Sequence, residues 1–182
     1  MIDFCILGSG VAGSTIAKIL SKKYSVHVFD KARGSGGRSS NKKFKKNLSF
    51  DHGVQYISPK SKKFIKFTQK LLKKKIFKTW DGNHLDLTFE KKINNIKYIG
   101  VKGNNALIKY QLKGIKQFFT SQIIKIEYKK NFWKITLNDN SSHQFKALVL
   151  TCPFPQLKKL AKKYLDRKIS NLKVQMQPNI TV

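Results

Sequence analysis

GSGVAG, at residues 8–13, is the stretch that decides the fold of this chain. It follows an apolar run at residues 2–7 (IDFCIL), which is typical of a strand buried on both faces. It opens residues 11–22, where apolar side chains recur at helical spacing, and residues 25–30 (SVHVFD) then predict a second strand. A strand–helix–strand connection of this length implies a right-handed parallel crossover. The sequence therefore predicts a Rossmann-type α/β unit.

The three glycines have the spacing of a turn that approaches a pyrophosphate. Gly8 would make the turn, Gly10 would let backbone N–H groups reach phosphate at the helix start, and Gly13 would allow close helix–strand packing. Asp30 ends the second strand and would accept hydrogen bonds from the two hydroxyls of an adenosine ribose, whereas its charge would repel a 2′-phosphate. The plainer alternative is that Asp30 caps a turn.

A second glycine turn follows at residues 31–38 (KARGSGGR) and ends in Arg38, whose guanidinium could fork onto a phosphate. Plain NAD dehydrogenases lack this piece. The alternative is a flexible surface loop, because such loops are rich in Gly and Ser. Together the two glycine turns favour a dinucleotide ligand.

The formal charge of +29 comes from 38 basic and 9 acidic residues. Only Arg33, Arg38 and Arg167 are arginines, which favours a compositional preference for lysine over an evolved phosphate reader. A basic field could still capture an anionic substrate. We do not expect a nucleic-acid partner, because the lysines are dispersed and no known reader motif is present.

The two cysteines, Cys5 and Cys152, lie in apolar runs without disulfide or metal spacing, which favours a reducing cytoplasm and no metal site. The sequence has neither a secretory signal nor a stretch of membrane-spanning length, so we expect no membrane partner. The histidines show no ligand spacing, and His52 more simply satisfies local backbone groups than transfers protons. Catalytic residues and oligomeric state are not predicted.

Further along the chain, periodicity predicts weaker elements. Apolar positions and turn signals predict a loop at 32–47, a helix at 61–74, weak strands between 76 and 101, a helix from near Asn104, strands at 122–128, 132–138 and 143–151, a helix from Pro153 to about Tyr164, and a last strand within 172–182. The three strands between 122 and 151 form a predicted meander that returns to a buried strand.

In order and separation, these motifs resemble the renalase-like branch of the flavin amine oxidase superfamily. The resemblance rests on GSGVAG, Asp30, GSGGR at 34–38 and FDHGVQYI at 50–57. It continues through YIGVKGNNAL at 98–107, the meander at 123–137 and VLTCPFPQL at 149–157, so that it covers essentially the whole chain.

The resemblance implies bound FAD and two domains. A discontinuous FAD-binding domain would comprise 1–58 and 99–160, and part of an α+β substrate domain would comprise 59–98 and 161–182. The implied FAD contacts are Gly8, Gly10, Val11, Ala12, Gly13, Asp30, Lys31, Gly37, Arg38, Gln55, Tyr56 and, beside the adenine, Ile123.

The resemblance also implies an FAD-dependent oxidase that takes two electrons from an isomeric form of reduced NAD(P)H and gives hydrogen peroxide from oxygen. An amine oxidase or a desaturase of the same fold is the alternative enzyme. Chains of this family continue beyond the position that corresponds to Val182, so a truncated, inactive FAD- or ADP-binding remnant is a further alternative.

Overall fold

The structure is a computed structural model that describes residues 1–46, 48–82 and 96–177. Its strands are β1 (Ile2–Leu7), β2 (Val26–Phe29), β3 (Asn41–Lys45), β4 (Leu48–Asp51), β5 (Phe77–Thr79), β6 (Tyr98–Gly100), β7 (Lys116–Phe118), β8 (Ile123–Lys129), β9 (Phe132–Leu137) and β10 (Ser142–Leu150). Its α-helices are α1 (Val11–Leu20), α2 (Lys62–Lys73), α3 (Ala106–Leu112), α4 (Phe154–Ala161) and α5 (Arg167–Ser170). Short 3₁₀ turns lie at Gly37–Ser39 and Lys162–Tyr164.

The chain divides into two compact units. One unit, here called the Rossmann unit, comprises Met1–Gly37 and Gln111–Val182, and the other, the inserted unit, comprises Arg38–Tyr110. Compactness does not identify which residues bind a cofactor or a substrate, so the two predicted domains, with their boundaries, stay a prediction.

The Rossmann unit is built on a six-stranded sheet in the order β7-β2-β1-β10-β9-β8. Strands β7, β2, β1 and β10 are parallel, and β9 and β8 pair antiparallel beyond β10. Cys5 at the centre of β1 is opposite both His27 and Leu148, and it is fully buried. The predicted fold class is therefore confirmed: a parallel Rossmann-type core is extended by an antiparallel meander.

Aromatic packing fixes the end of β2 from which Asp30 follows. The ring of Phe29 is fully buried and stacks on Phe118 of β7 with the centroids 4.5 Å apart. It also meets Phe145 of β10 edge-on at 5.8 Å. Burying a phenylalanine side chain stabilises a fold by about 2–3 kcal/mol, so this cluster holds the strand end firmly.

The inserted unit has three parts. Strands β3 and β4 form an antiparallel hairpin, and β5 and β6 form a second antiparallel pair. Helix α2 begins after Ser61, whose Oγ accepts a hydrogen bond from Phe64 N at 3.2 Å. Its Leu71 is buried with Phe77 and Leu107 in a small separate core. Within the described residues, no helix is both long and apolar enough to cross a bilayer.

Three predictions of local structure need correction. The loop at 32–47 contains β3, which carries few apolar residues and depends on pairing with β4. Helix α5 was missed; Asp166 caps it by accepting a hydrogen bond from Lys168 N at 2.7 Å. Residues 172–177 form no strand, whereas 178–182, and the part of the weak-strand region at 83–95, lie outside the described residues.

Candidate dinucleotide-binding site

The first glycine turn leaves β1 through a backbone conformation that suits glycine. Gly8 has φ +104°, and its N–H donates to Phe29 O at 2.8 Å, which ties the turn to the end of β2. A Cβ at Gly8 would lie 2.7 Å from Oγ1 of Thr151, which follows β10. Both the positive φ and the close neighbour therefore require glycine at this position.

Gly13 allows helix α1 to pack directly on the turn. A Cβ at Gly13 would lie 1.9 Å from Gly8 O and 2.9 Å from Thr151 Oγ1. Thr151 Oγ1 in turn donates to Leu7 O at 2.8 Å and lies 3.3 Å from Gly8 O. Thr151 thus braces the turn from the neighbouring strand, a role that no local pattern in the sequence indicated.

The start of α1 presents backbone N–H groups to a ligand. Gly10 is the N-cap, in extended conformation at φ −80°, and it has no side chain with which to cap the helix. The first turn comprises Val11, Ala12 and Gly13, which carry no charge, and the side chains of Val11 and Ala12 are exposed. Because the first N–H groups of a helix lack intrahelical acceptors, this end attracts anions.

The second glycine turn lies against the first. Gly36 N donates to Ser9 O at 3.0 Å, and Gly37 has φ +55°. A Cβ at Gly37 would lie only 3.0 Å from Gly10 Cα, whereas a Cβ at Gly10 would meet Gly37 Cα at an ordinary 3.8 Å. The two turns therefore form one continuous backbone surface, with no side chain between Gly10 and Gly37.

The carboxylate of Asp30 is held beside these turns by Ser9. Its Oδ2 accepts from Ser9 N at 2.7 Å and from Ser9 Oγ at 2.6 Å, and its Oδ1 accepts from Ala32 N at 2.9 Å. A carboxylate has about four acceptor positions, so these three hydrogen bonds leave about one, on Oδ1. A single ribose hydroxyl could bond there without disturbing Ser9, whereas the two hydroxyls expected from the sequence would need rearrangement.

Ser9 was not among the predicted site residues, although it is fully buried beneath the turn. Its position between the first two motif glycines was the available signal, because a serine there can reach the carboxylate at the end of the second strand. The buried serine sets the direction of the Asp30 side chain.

Ile123 and Lys31 lie in different surroundings. Ile123 begins β8 and is only 6% exposed, because its side chain packs in the core with Phe29 and Leu137. Lys31 is exposed, and burial raises the pKa of the nearby Cys152 thiol more than the charge of Lys31 lowers it. Burial also raises the pKa of Cys5. Both thiols are therefore protonated near neutral pH and make poor nucleophiles.

In the inserted unit, Asn104 shapes the segment that contains Gln55 and Tyr56. Its Nδ2 donates to Val54 O at 2.7 Å and to Gln55 O at 2.9 Å, and its Oδ1 accepts from Gly100 N at 2.8 Å. Its backbone N–H donates to Asp51 Oδ1 at 2.8 Å. Asn104 is 2% exposed. Its buried amide therefore satisfies backbone groups that would otherwise need partners on a neighbouring strand.

Arg38 enters the same network through its backbone. Arg38 O accepts from Val54 N at 2.9 Å, and a Cβ at Gly53 would lie 2.1 Å from that oxygen. The side chains of Arg38 and Gln55 are exposed, as is that of His52. The segment thus holds the backbone of Arg38 and leaves its guanidinium available for a ligand.

Tyr56 belongs to an aromatic cluster with a lysine. Its ring lies 5.7 Å from the ring of Trp80, and Lys97 Nζ lies 4.2 Å from the Tyr56 ring centroid. Lys97 is only 7% exposed, whereas Tyr56 is 37% exposed. A cation over one face of the ring orients it, so the tyrosine keeps a defined position while it remains accessible.

Within the Rossmann unit, the structure brings together the predicted residues of both glycine turns and Asp30, and Ile123 lies in the adjoining core. Arg38, Gln55 and Tyr56 lie in the inserted unit, where Asn104 binds the Gln55 carbonyl and Val54 N donates to Arg38 O. Their roles in cofactor binding stay predictions. In the described part of the chain, no three His, Cys, Asp or Glu side chains gather in a way that could hold a metal ion.

Comparison with known proteins agrees with this geometry. The family described as NAD(P)-binding Rossmann-like domain matches residues 6–71, which include both glycine turns and Asp30. Renalase of Mus musculus is 28% identical over 167 residues, covering 85% of this chain and 48% of that protein. The chain therefore spans about half the length of this curated relative.

Two solved structures share the fold. The putative protoporphyrinogen oxidase from Exiguobacterium sp. 255-15 superposes with a TM-score of 0.68 at 6% identity, covering 93% of this chain and 63% of its own. The tetracycline destructase Tet(51) gives a TM-score of 0.62 at 11% identity, covering 92% of this chain and 42% of its own. At such low identities these two structures support the fold alone.

The chain thus has a mixed α/β fold with a parallel Rossmann-like core, and its residues 6–71 match the family of NAD(P)-binding Rossmann-like domains. More particularly, its sequence is similar to that of renalase, which confirms the resemblance found in its motifs.

Proposed function

We propose that this chain binds FAD through the Rossmann unit and provides the cofactor-binding part of a renalase-like oxidoreductase. One observation carries the proposal: the two glycine turns meet as a bare backbone surface at an uncapped helix start, with the Asp30 carboxylate fixed beside them. Pyrophosphate and adenosine ribose need these features side by side.

The residues present fit FAD. The first-turn N–H groups of α1 would hold the pyrophosphate, the missing Cβ of Gly10 would let it approach, and Asp30 would bind the ribose. By resemblance, Arg38 would bind phosphate, Ile123 would border the adenine, and Gln55 and Tyr56 would contact the flavin. When bound, FAD supplies the two-electron redox chemistry, and the protein positions it.

We further propose that the substrate is a reduced nicotinamide dinucleotide in an isomeric form, oxidised at the expense of oxygen to give hydrogen peroxide. The relationship to renalase supports this choice. The formal charge of +29 also supports it, because a basic protein captures an anionic dinucleotide faster. Asp30 disfavours a 2′-phosphate at the ribose of the cofactor, and so favours FAD over NADP in that position.

The test begins with the purified chain, incubated with FAD, desalted and examined for the absorption bands of bound flavin. We expect retained flavin in the wild type and about tenfold weaker FAD affinity in Asp30→Asn, because the amide cannot accept the same hydrogen bonds. Asp3→Asn is the matched control, since Asp3 lies in β1 away from the glycine turn. Colourless wild-type protein would contradict the proposal.

The substrate is tested on the flavin-loaded protein. We expect reduced nicotinamide isomers to bleach the flavin without oxygen, and readmitted air to restore its colour with release of peroxide. Bleaching by amines or polyenes instead would identify an amine oxidase or a desaturase. Binding of ADP without retention of FAD would show that the site accepts only the adenosine half of the cofactor.

A further inference from the structure

The β3–β4 hairpin of the inserted unit exposes large apolar side chains. Phe44 is 66% exposed, Phe50 is 55% exposed and Leu48 is 44% exposed. Single exposed apolar residues are common on soluble proteins, whereas a contiguous group of them indicates a contact surface. We call these three residues, together with Lys42, Lys43, Lys45 and Lys46, the hairpin patch.

Strand pairing places the apolar residues together and surrounds them with cations. Lys42 is directly opposite Phe50, and Lys45 is opposite Leu48. The rings of Phe44 and Phe50 have their centroids 6.5 Å apart, and Lys45 Nζ lies 5.8 Å from the Phe44 ring. The apolar side chains and the lysines therefore form one mixed surface.

Within the hairpin patch, positive charge is not balanced by acids. The four lysines are exposed, and residues 42–50 contain no Asp or Glu. The acid at the base of the hairpin, Asp51, directs its Oδ1 to Asn41 Nδ2 at 3.0 Å and to Asn104 N at 2.8 Å. Because the patch combines exposed lysines with exposed apolar side chains, it favours a partner that presents both negative charge and apolar groups.

We propose that the hairpin patch binds the surface of an anionic lipid bilayer. The lysines would lie at the level of the acidic headgroups, and Phe44, Leu48 and Phe50 would enter the boundary between headgroups and acyl chains. The contact requires no spanning helix, so it is compatible with the helices of the described residues. The sequence-based expectation of no membrane partner rested on the length of apolar stretches and did not consider a surface contact of this kind.

Two other partners fit the patch less well. Single-stranded nucleic acid would need open ring faces for successive bases, but Phe44 and Phe50 meet edge-on at 65° and Leu48 has no π face. A second copy of this chain would bring four lysines against four like charges. An anionic bilayer satisfies both the charge and the apolar area.

The experiment measures co-sedimentation of the full chain with vesicles of phosphatidylcholine alone or of phosphatidylcholine with phosphatidylserine. Because the whole chain is strongly basic, binding to anionic vesicles alone does not identify the patch. The decisive variant is Phe44→Ser with Phe50→Ser, and its matched control is Ile19→Ser with Ile124→Ser. Ile19 is 61% exposed and Ile124 is 49% exposed, both in the Rossmann unit.

We expect the phenylalanine variant to lower the partition coefficient on anionic vesicles about tenfold or more, and the isoleucine control to leave it unchanged. Equal loss in both variants, or no loss in either, would overturn the proposal. Loss of single-stranded DNA binding in the phenylalanine variant, with unchanged vesicle binding, would identify a nucleic-acid surface and overturn it too.

A second variant keeps the test independent of folding defects. Phe44→Trp retains an aromatic ring at the most exposed apolar position of the patch. On anionic vesicles we expect its added emission to shift to the blue and to be quenched by brominated acyl chains. Emission that stays at the position of the free protein would contradict insertion.

Discussion

The two regions implied in cofactor binding obtain their shapes in opposite ways. In the Rossmann unit, the turn depends on the absence of side chains at Gly8 and Gly13, because a Cβ would lie 2.7 Å from Thr151 Oγ1 at Gly8 and 1.9 Å from Gly8 O at Gly13. In the inserted unit, the segment before Tyr56 depends on the presence of one side chain, the amide of Asn104, which satisfies three backbone groups.

This difference implies opposite sensitivities to mutation. A steric site is damaged by one added methyl group, whereas a hydrogen-bonded site is damaged by one removed amide. The two tryptophans allow the regions to be followed separately, because Trp133 lies in the Rossmann unit and Trp80 in the inserted unit. The single-tryptophan variants Trp80→Phe and Trp133→Phe are the backgrounds for the next three predictions.

The largest effect is expected for Gly13→Ala. The new methyl group would lie 1.9 Å from Gly8 O, so either the helix or the turn must move. We expect a loss of about 3 kcal/mol or more in the free energy of unfolding, reported by Trp133 in urea titrations. Gly34→Ala is the control, because a Cβ at Gly34 meets nothing within 4 Å. Equal stability of the two variants would contradict the steric origin of the turn.

A smaller loss is expected for Asn104→Ala. The substitution leaves Gly100 N and the carbonyls of Val54 and Gln55 without the buried amide. We expect the free energy of unfolding reported by Trp80 to fall by about 2 kcal/mol, and hydrogen exchange at residues 50–57 to become faster. Asn138→Ala, at an exposed turn of the Rossmann unit, is the matched control. A transition of Trp80 that is unchanged in Asn104→Ala would show that the segment holds its own shape.

The stability of the Rossmann unit is also expected to depend on pH, through His27. Burial, followed by the charges of Lys116 and His143, lowers the pKa of His27 below its usual 6.5, and the buried His27 Nδ1 has no hydrogen-bond partner. The unfolded chain therefore binds the proton more readily. Stability is fully present above about pH 6.5 and falls as the pH drops from there toward the lower folded pKa.

We expect Trp133 to report this loss of stability as the pH is lowered from about 6.5, and His27→Phe to flatten the profile of stability against pH. His27 lies in β2 among the rings of Phe118 and Phe145, so phenylalanine is a suitable replacement. If stability falls with pH at the same slope in the wild type and in His27→Phe, other titratable groups cause the loss.

The sequence predicted the Rossmann unit well because its determinants are local. The turn, helix α1 and Asp30 lie within thirty consecutive residues, and glycine spacing together with apolar periodicity reports them directly. Ser9 and Thr151 were missed, because their roles depend on which strand ends lie side by side. Strand β7 was missed because it is three residues long and is held by pairing with β2.

The inserted unit was less predictable because its order comes from distant contacts. Asn104 bonds to Val54 and Gln55 across 50 and 49 positions, and no periodicity reports such a contact. The β3 strand gave no alternating pattern, because its lysines and Phe44 are exposed. Its apolar surface became visible only when pairing brought Phe44 and Phe50 together.

The most direct test of the central claim is calorimetric titration of FAD into the wild type and Gly10→Ala, with Gly34→Ala as the control. A Cβ at Gly10 meets Gly37 Cα at an ordinary 3.8 Å, so the variant should fold and melt like the wild type. The same methyl group would occupy the surface assigned to the pyrophosphate. We expect FAD affinity to fall about a hundredfold, which is about 2.7 kcal/mol. Unchanged affinity in a fully folded Gly10→Ala protein would contradict a cofactor site at the two glycine turns.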